Sequence, residues 1–148
     1  MVRASIFGAL TAVALAGAAL AQAAQYGTAA EARAMLDKAA AAVKANKAQA
    51  LQQFTKGEAG FKDRDLYPFC GGPDGNFTAH PSLVGQSLRE LKDKSGKAFG
   101  QDIYRLAEEN KVAEVPYMWT RPGSDAPVQK VSYVTRIGDQ VCAVGYYQ

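Results

Sequence analysis

The chain has 148 residues, with 17 lysines and arginines against 14 aspartates and glutamates, and a formal charge of +3. So small a positive balance excludes a strongly basic surface for nucleic acid, and the length suits one domain rather than several. A single histidine excludes a histidine cluster for a metal ion, and the glycine-rich stretch at 71–75 lacks the lysine and spacing of a phosphate-binding loop, so we predict no metal and no cofactor.

Residues 1–23 have the features of a cleavable secretory signal peptide. Arg3 precedes an uncharged, alanine-rich run that ends in two A-x-A sequences, which signal peptidase accepts. A transmembrane anchor is the alternative, but alanine is weakly hydrophobic, so the run has little hydrophobicity for a membrane-spanning helix. We therefore predict cleavage after Ala21 or Ala23, a periplasmic or secreted protein, and one domain over residues 24–148 that is not embedded in the membrane.

A long helix is the first element predicted after the signal peptide. Thr28 and Glu31 have the spacing of a capping box, in which each side chain accepts a hydrogen bond from the other residue's backbone. Apolar residues then recur at helical spacing at Ala32, Met35, Leu36, Ala39, Ala42 and Val43. This stripe is mostly alanine, which allows close packing against a sheet. A break at Asn46 and a shorter helix ending at Gly57 complete the helical part.

Five strands are predicted in the rest of the chain, and the segments that form the last three are rich in valine, tyrosine, threonine and tryptophan. The first two, at 66–70 and 76–80, flank a glycine-rich turn. A loop with a short helical piece follows at 81–91, and a helix runs from Phe99 to near Asn110. The last three strands are predicted at 112–120, 128–137 and 140–147. This order predicts an α+β fold with one antiparallel sheet.

An ordered series of short sequences runs through the domain. It begins with DLYPF at Asp65, continues through AHP, LVGQSL, LKD and GKAF, and ends with YMW, PG, KVSYV and GYY. This series resembles the single Cache domain, type 2, of bacterial extracytoplasmic sensors, over nearly all of the chain from about Thr28. The resemblance implies a long N-terminal helix packed on a PAS-like five-stranded antiparallel sheet, with a pocket on the sheet face away from that helix.

The same resemblance implies a function. Family members are usually the outer part of transmembrane chemoreceptors or kinases, so we expect a small-molecule-binding sensor module, with small organic acids as the ligand class. No second membrane helix or output domain follows the predicted sheet, so two expectations stay open: the domain reports a bound ligand through a separate membrane sensor partner, or it simply holds the ligand. The alternative is a domain of the same fold used for protein contact only, with its pocket filled by its own side chains.

The two cysteines, Cys70 and Cys142, are predicted to form a disulfide. An even number of cysteines in an exported protein favours a bridge, although two buried free thiols are the alternative. The strand order that the resemblance implies places the first strand beside the last, which brings the two cysteines together. A bridge would leave no thiol nucleophile, and no serine lies in a G-x-S-x-G sequence, so we do not expect an enzyme.

Aromatic residues are the first candidates for a pocket wall. Tyr117 and Trp119 lie two apart in one predicted strand and share a sheet face, and so do Tyr67 and Phe69. If the cysteines bridge, Tyr67 and Phe69 lie on the opposite face beside small residues such as Ala143, which leaves space. Ordinary core packing would explain the same pattern. A pocket wall is the sharper hypothesis, because flat rings pack against an apolar ligand.

His80, Arg121 and Lys130 are the charged candidates for a polar anchor. Lys130 and Tyr133 resemble a lysine and a tyrosine that recur in this strand of the family, although strict alternation puts them on opposite faces unless a bulge intervenes. The alternatives are a solvated or edge lysine for Lys130 and a structural His-Pro turn for His80. If either side chain points inward, a small carboxylate is the natural ligand. We expect Tyr133 to line the pocket with Tyr117 and Trp119, and no catalytic residue.

Overall fold

A computed structural model describes residues 24–148, so the predicted signal peptide lies outside the described residues. Three helices are present: α1 (Ala29–Ala45), α2 (Lys47–Lys56) and α3 (Phe99–Leu106). Five strands accompany them: β1 (Pro68–Gly71), β2 (Phe77–Ala79), β3 (Ala113–Thr120), β4 (Pro127–Ile137) and β5 (Gln140–Tyr147). The predicted α+β fold is confirmed. None of the helices between residues 24 and 148 combines the length and the apolar composition that a membrane span requires.

Four residues cap the first two helices. Thr28 Oγ1 accepts a hydrogen bond from the Glu31 amide at 3.2 Å, and the Glu31 carboxylate accepts one from the Thr28 amide at 2.8 Å, so the capping box is complete. Asn46 then ends α1 and caps α2, because its side chain accepts from the amide of Gln49 at 3.1 Å. Gly57 ends α2 with a φ of 69°, a conformation that glycine adopts without strain.

The sheet has the order β2-β1-β5-β4-β3, and its neighbouring strands are antiparallel. Helix α1 packs on one face, mainly against β5 and β4, and its buried alanines let it approach closely. The other face is covered by α3 and the segment 80–98. Two core clusters therefore flank the sheet, one against α1 and α2 and one beneath α3.

The helical piece predicted within 81–91 is wrong, and α3 ends at Leu106 rather than near Asn110. Turns occupy the 81–91 segment because its backbone is engaged by the outer edge of β2. The amide of Phe77 donates to the carbonyl of Gln86 at 2.8 Å, and the amide of Gly85 donates to the carbonyl of Phe77 at 3.0 Å. These bonds cover an edge strand that a helix at this position would leave open.

The predicted disulfide joins the first strand to the last. Cys70 and Cys142 lie directly opposite each other on β1 and β5, with their Cα atoms 4.1 Å apart, and both are fully buried. Their side chains belong to the core cluster beneath α1. The next pair along, Phe69 and Ala143, therefore faces the opposite way, into the cluster beneath α3. The bridge fixes the pairing of the two strands that form one wall of the cavity described next.

Candidate ligand-binding site

A small cavity lies on the sheet face opposite α1, enclosed by α3 and the segment 80–98. Its volume is about 10 Å³, which is room for roughly one water molecule. Its lining is aromatic and apolar apart from one cation and one imidazole: Tyr67, Phe69, Phe77, His80, Leu88, Leu91, Phe99, Tyr117, Trp119 and Lys130. The structure thus brings together six of the seven predicted ligand-binding residues at one point.

Strand register explains how Lys130 reaches the middle of this face. Lys130 pairs with Tyr117 on β3 and with Tyr147 on β5, so it is flanked by a tyrosine on each side. Two positions further along β4, Ser132 pairs with Gly145. A Cβ atom at Gly145 would overlap the side chains of both Lys130 and Ser132. Glycine at this position therefore leaves the space that the lysine side chain occupies.

Lys130 is a buried cation surrounded by tyrosines. It is 1% exposed, its Nζ donates a hydrogen bond to the Tyr67 hydroxyl at 3.1 Å, and it lies 4.5 Å and 4.7 Å from the ring centroids of Tyr67 and Tyr147. Within residues 24–148, no acidic side chain forms a salt bridge with it. Burial lowers the pKa of Lys130. The interactions with Tyr117, Tyr67 and Tyr147 raise the pKa by more than burial lowers it, so the net direction is upward. The amine is therefore buried without an anionic partner among the described residues.

His80 is held in one tautomer by the backbone. Its Nδ1 accepts hydrogen bonds from the amides of Ser82 at 3.0 Å and Leu83 at 3.2 Å, so a neutral ring carries its proton on Nε2. Burial, and then the positive charge of Lys130, lower the pKa of His80 to about 4. The residue therefore forms the structural His-Pro turn that was the alternative, and it also lines the cavity. No described residue accepts a hydrogen bond from Nε2, which leaves that N–H as a donor.

Tyr117 and Trp119 project from β3 against the helix above. The Tyr117 ring stacks on Phe99 of α3 with centroids 4.0 Å apart, and its hydroxyl is 2.9 Å from Ser132 Oγ. Trp119 meets the same Phe99 edge-on at 5.4 Å and is only half-buried. The Tyr117 hydroxyl is satisfied by Ser132, so this residue acts mainly as an apolar wall, and Trp119 stands where the wall meets solvent.

The placement of Tyr133 in the cavity wall is wrong. Its ring lies on the α1 side of the sheet, next to Tyr146 at 5.8 Å between centroids. Strand β4 pairs with both neighbours in unbroken register, so no bulge reverses the alternation between Lys130 and Tyr133. A side chain three positions from Lys130 must then face the other way. The hypothesis that Lys130 is a solvated or edge lysine is also wrong, because Lys130 is 1% exposed and its strand is paired on both sides.

Sequence reasoning missed Phe77, Phe99, Leu88 and Leu91, which complete the cavity wall. Phe99 reads in the sequence as an apolar position of a helix, and nothing in the pattern shows which sheet face that helix covers. Residues 88–91 lie in an irregular segment that has no periodicity to interpret. The segment is tied to β3 by Asp93, whose carboxylate accepts hydrogen bonds from the amides of Ser95, Lys97 and Met118.

Comparison with known proteins agrees with this architecture. The sequence profile of the family described as Single Cache domain 2 matches residues 18–145. A stretch of 56 residues is 36% identical to the methyl-accepting chemotaxis protein McpP of Pseudomonas putida. This stretch is 38% of this chain but only 10% of that relative. The matched stretch therefore spans about a tenth of the length of this curated relative.

Two solved structures share the fold. One is a Cache chemosensory domain that recognises carboxylic acids, with a TM-score of 0.59 and 23% identity, covering 78% of this chain and 85% of that one. The other is the periplasmic sensor domain of a chemotaxis protein, with a TM-score of 0.59 and 25% identity. The alignment covers 78% of this chain and 87% of that one. The first likeness, at that identity, shows the fold alone. With a profile match over most of its length, the chain belongs to the Single Cache domain 2 family of extracytoplasmic sensor domains.

Proposed function

We propose that this protein is a periplasmic sensor module that binds the carboxylate of a small organic acid at Lys130, and that it has no catalytic role. The observation that carries the proposal is a lysine that is 1% exposed and has no acidic partner among the described residues. A buried charge is costly unless it is paired, and a carboxylate ligand would supply the missing partner.

The surrounding groups suit the two ends of such a ligand. The Tyr67 hydroxyl, 3.1 Å from Lys130 Nζ, and the Nε2–H of His80 offer hydrogen bonds to carboxylate oxygens. The rings of Phe69, Phe77 and Phe99 offer an apolar surface to a short carbon chain. The solved relative that recognises carboxylic acids supports this ligand class, and the chemotaxis proteins among the relatives support a role in signalling through a membrane receptor partner.

The size of the cavity limits the ligand and also favours a second candidate function. A cavity of about 10 Å³ accepts one water but not an organic acid without expansion. The segment 80–98, which lacks regular secondary structure apart from its contacts with β2 and β3, is the wall best suited to move. If it does not move, the cavity is filled by the protein's own side chains, and the domain serves protein contact only.

Calorimetric titration and thermal denaturation with short carboxylic acids distinguish the two functions. A ligand at about 100 times its dissociation constant adds about 2.7 kcal/mol to the free energy of unfolding, which raises the melting temperature by several degrees in a domain of this size. Lys130→Met removes the charge but keeps much of the volume, so we expect a folded protein, at least as stable without ligand, that no longer binds. Lys111→Met, at an exposed lysine outside the cavity, is the matched control and should bind normally.

Two results would contradict the proposal. The first is that no carboxylic acid of the series raises the melting temperature of the unmodified protein at millimolar concentration, which favours the contact-only function. The second is that an acid binds equally well to the Lys130→Met protein, which places the carboxylate elsewhere. A search for turnover of the bound acid tests the statement that the protein is not an enzyme.

A further inference from the structure

We infer that Arg121 forms a second subsite just outside the cavity, where its N–H groups bind a hydrogen-bond acceptor of the ligand. The ligand is then a short carboxylic acid with another acceptor group at its far end. A dicarboxylate is the strongest case of this class. The inference rests on the proposed binding of a carboxylate at Lys130 and specifies which acids bind best.

The subsite lies in a cleft that adjoins the cavity. The cleft has a volume of about 220 Å³ and runs between the turn at 80–82 and the β3–β4 turn at 121–126. Three residues, Tyr67, His80 and Trp119, line both the cleft and the cavity. A molecule that is too long for the cavity alone can therefore extend past these three side chains into the cleft.

Arg121 is the cation that lines this cleft, and its hydrogen bonding is incomplete. Its Nε lies 3.4 Å from an oxygen of Asp65, whose other oxygen accepts the amide of Gly27 at 2.8 Å. Within residues 24–148, neither terminal nitrogen of Arg121 donates a hydrogen bond to a protein group. A guanidinium has five N–H donors in a planar fork, so most of them remain available to a ligand.

Aromatic contacts hold the guanidinium in place. It lies 4.0 Å from the ring centroid of Tyr26 and 5.2 Å from that of Tyr147, and the side chain is 21% exposed. Asp65 is 5% exposed and fixes the Nε edge. An arginine positioned in this way loses little side-chain freedom when it binds a carboxylate.

The two cations are close enough to bind one short molecule. The Lys130 Nζ and the Arg121 Cζ lie 4.7 Å and 5.2 Å from the same Tyr147 ring centroid, so they are at most 9.9 Å apart. Each hydrogen bond occupies about 3 Å of that span. Only a short carbon chain then fits between two acceptor groups, as in succinate or glutarate.

Titration calorimetry of the purified protein with succinate, glutarate and butyrate tests the inference. Butyrate matches succinate in chain length and lacks the second carboxylate. Hydrogen bonds to a charged group predict that succinate or glutarate binds at least about tenfold more tightly than butyrate. Arg121→Gln should bring the ratio of the dicarboxylate affinity to the butyrate affinity close to one. Arg121→Lys keeps the charge but not the planar fork of donors, so it should reduce this ratio in part.

Arg105→Gln is the matched control, because Arg105 is an exposed arginine of α3 that does not line either space, and the ratio should stay unchanged. Circular dichroism verifies that each variant is folded, and Arg121→Lys replaces Arg121→Gln if the latter is not. Equal affinity for succinate and butyrate, with both lost in Lys130→Met, overturns the Arg121 subsite and leaves the proposed function intact. A preference that survives both Arg121 substitutions also overturns the subsite. No binding by any of the three acids overturns the proposed function together with the subsite.

Discussion

The side chain of Lys130 passes over Gly145 of the neighbouring strand, in space that any larger residue would occupy. This relationship places the cation at the centre of the sheet face. It also makes the glycine a requirement of the site although it offers no functional group.

Gly145→Ala should therefore destabilise the protein and weaken ligand binding. The added methyl group would overlap Lys130 and Ser132, and such overpacking typically costs about 1–3 kcal/mol of unfolding free energy. Urea denaturation measures the cost. If the overlap with the lysine is the cause, the cost is smaller when Gly145→Ala is made in a Lys130→Ala background. An equal cost in both backgrounds would contradict this explanation.

The buried, neutral His80 predicts a loss of stability in mild acid. Its pKa falls from 6.5 in the unfolded chain to about 4 in the folded protein, so between these values the unfolded state binds more protons. The free energy of unfolding should decrease as the pH falls through this window, by at most about 3 kcal/mol. Denaturation at a series of pH values measures the slope.

His80→Asn provides the comparison for this pH dependence, because an asparagine oxygen can accept the backbone hydrogen bonds that Nδ1 accepts but does not titrate. Carboxyl groups titrate in both proteins, so the difference between the two slopes isolates the histidine. Identical slopes between pH 6.5 and 4 would show that His80 does not account for the effect.

The disulfide should contribute substantially to stability. Cys70 and Cys142 are separated by 72 positions, and the chain-entropy model assigns about 4 kcal/mol to closing a loop of that length. Denaturation with and without a reductant should show the difference, and a Cys70→Ala, Cys142→Ala double variant should not respond to the reductant. Because the bridge joins the strands that carry Phe69 and Ala143, we also expect weaker ligand binding in the double variant.

Export predicts a shortened chain. Mass spectrometry of the protein recovered from its native host should find a first residue of Gln22 or Ala24, following cleavage at one of the A-x-A sequences. A protein that retains Met1 and fractionates with membranes would show that residues 1–23 anchor the chain instead.

The sequence alone determined the elements whose signals are local. The capping box at Thr28, the break at Asn46 and the end of α2 at Gly57 depend on hydrogen bonds and backbone conformations within a few residues, and all three are confirmed. Alternation along the strands also placed Tyr67 and Phe69 on the face opposite Cys70, because the period of a strand is two whatever its neighbours are.

Tertiary structure decided what depends on contacts between distant parts of the chain. Lys130 carries no sequence signal that distinguishes a buried lysine from a solvated one, and only the strand register places it beneath tyrosines from β5 and the segment before β1. Phe99 closes the cavity because α3 crosses the β3 side of the sheet. Arg121 acquires its position from Asp65 and Tyr26, residues far away in sequence that no local pattern brings together.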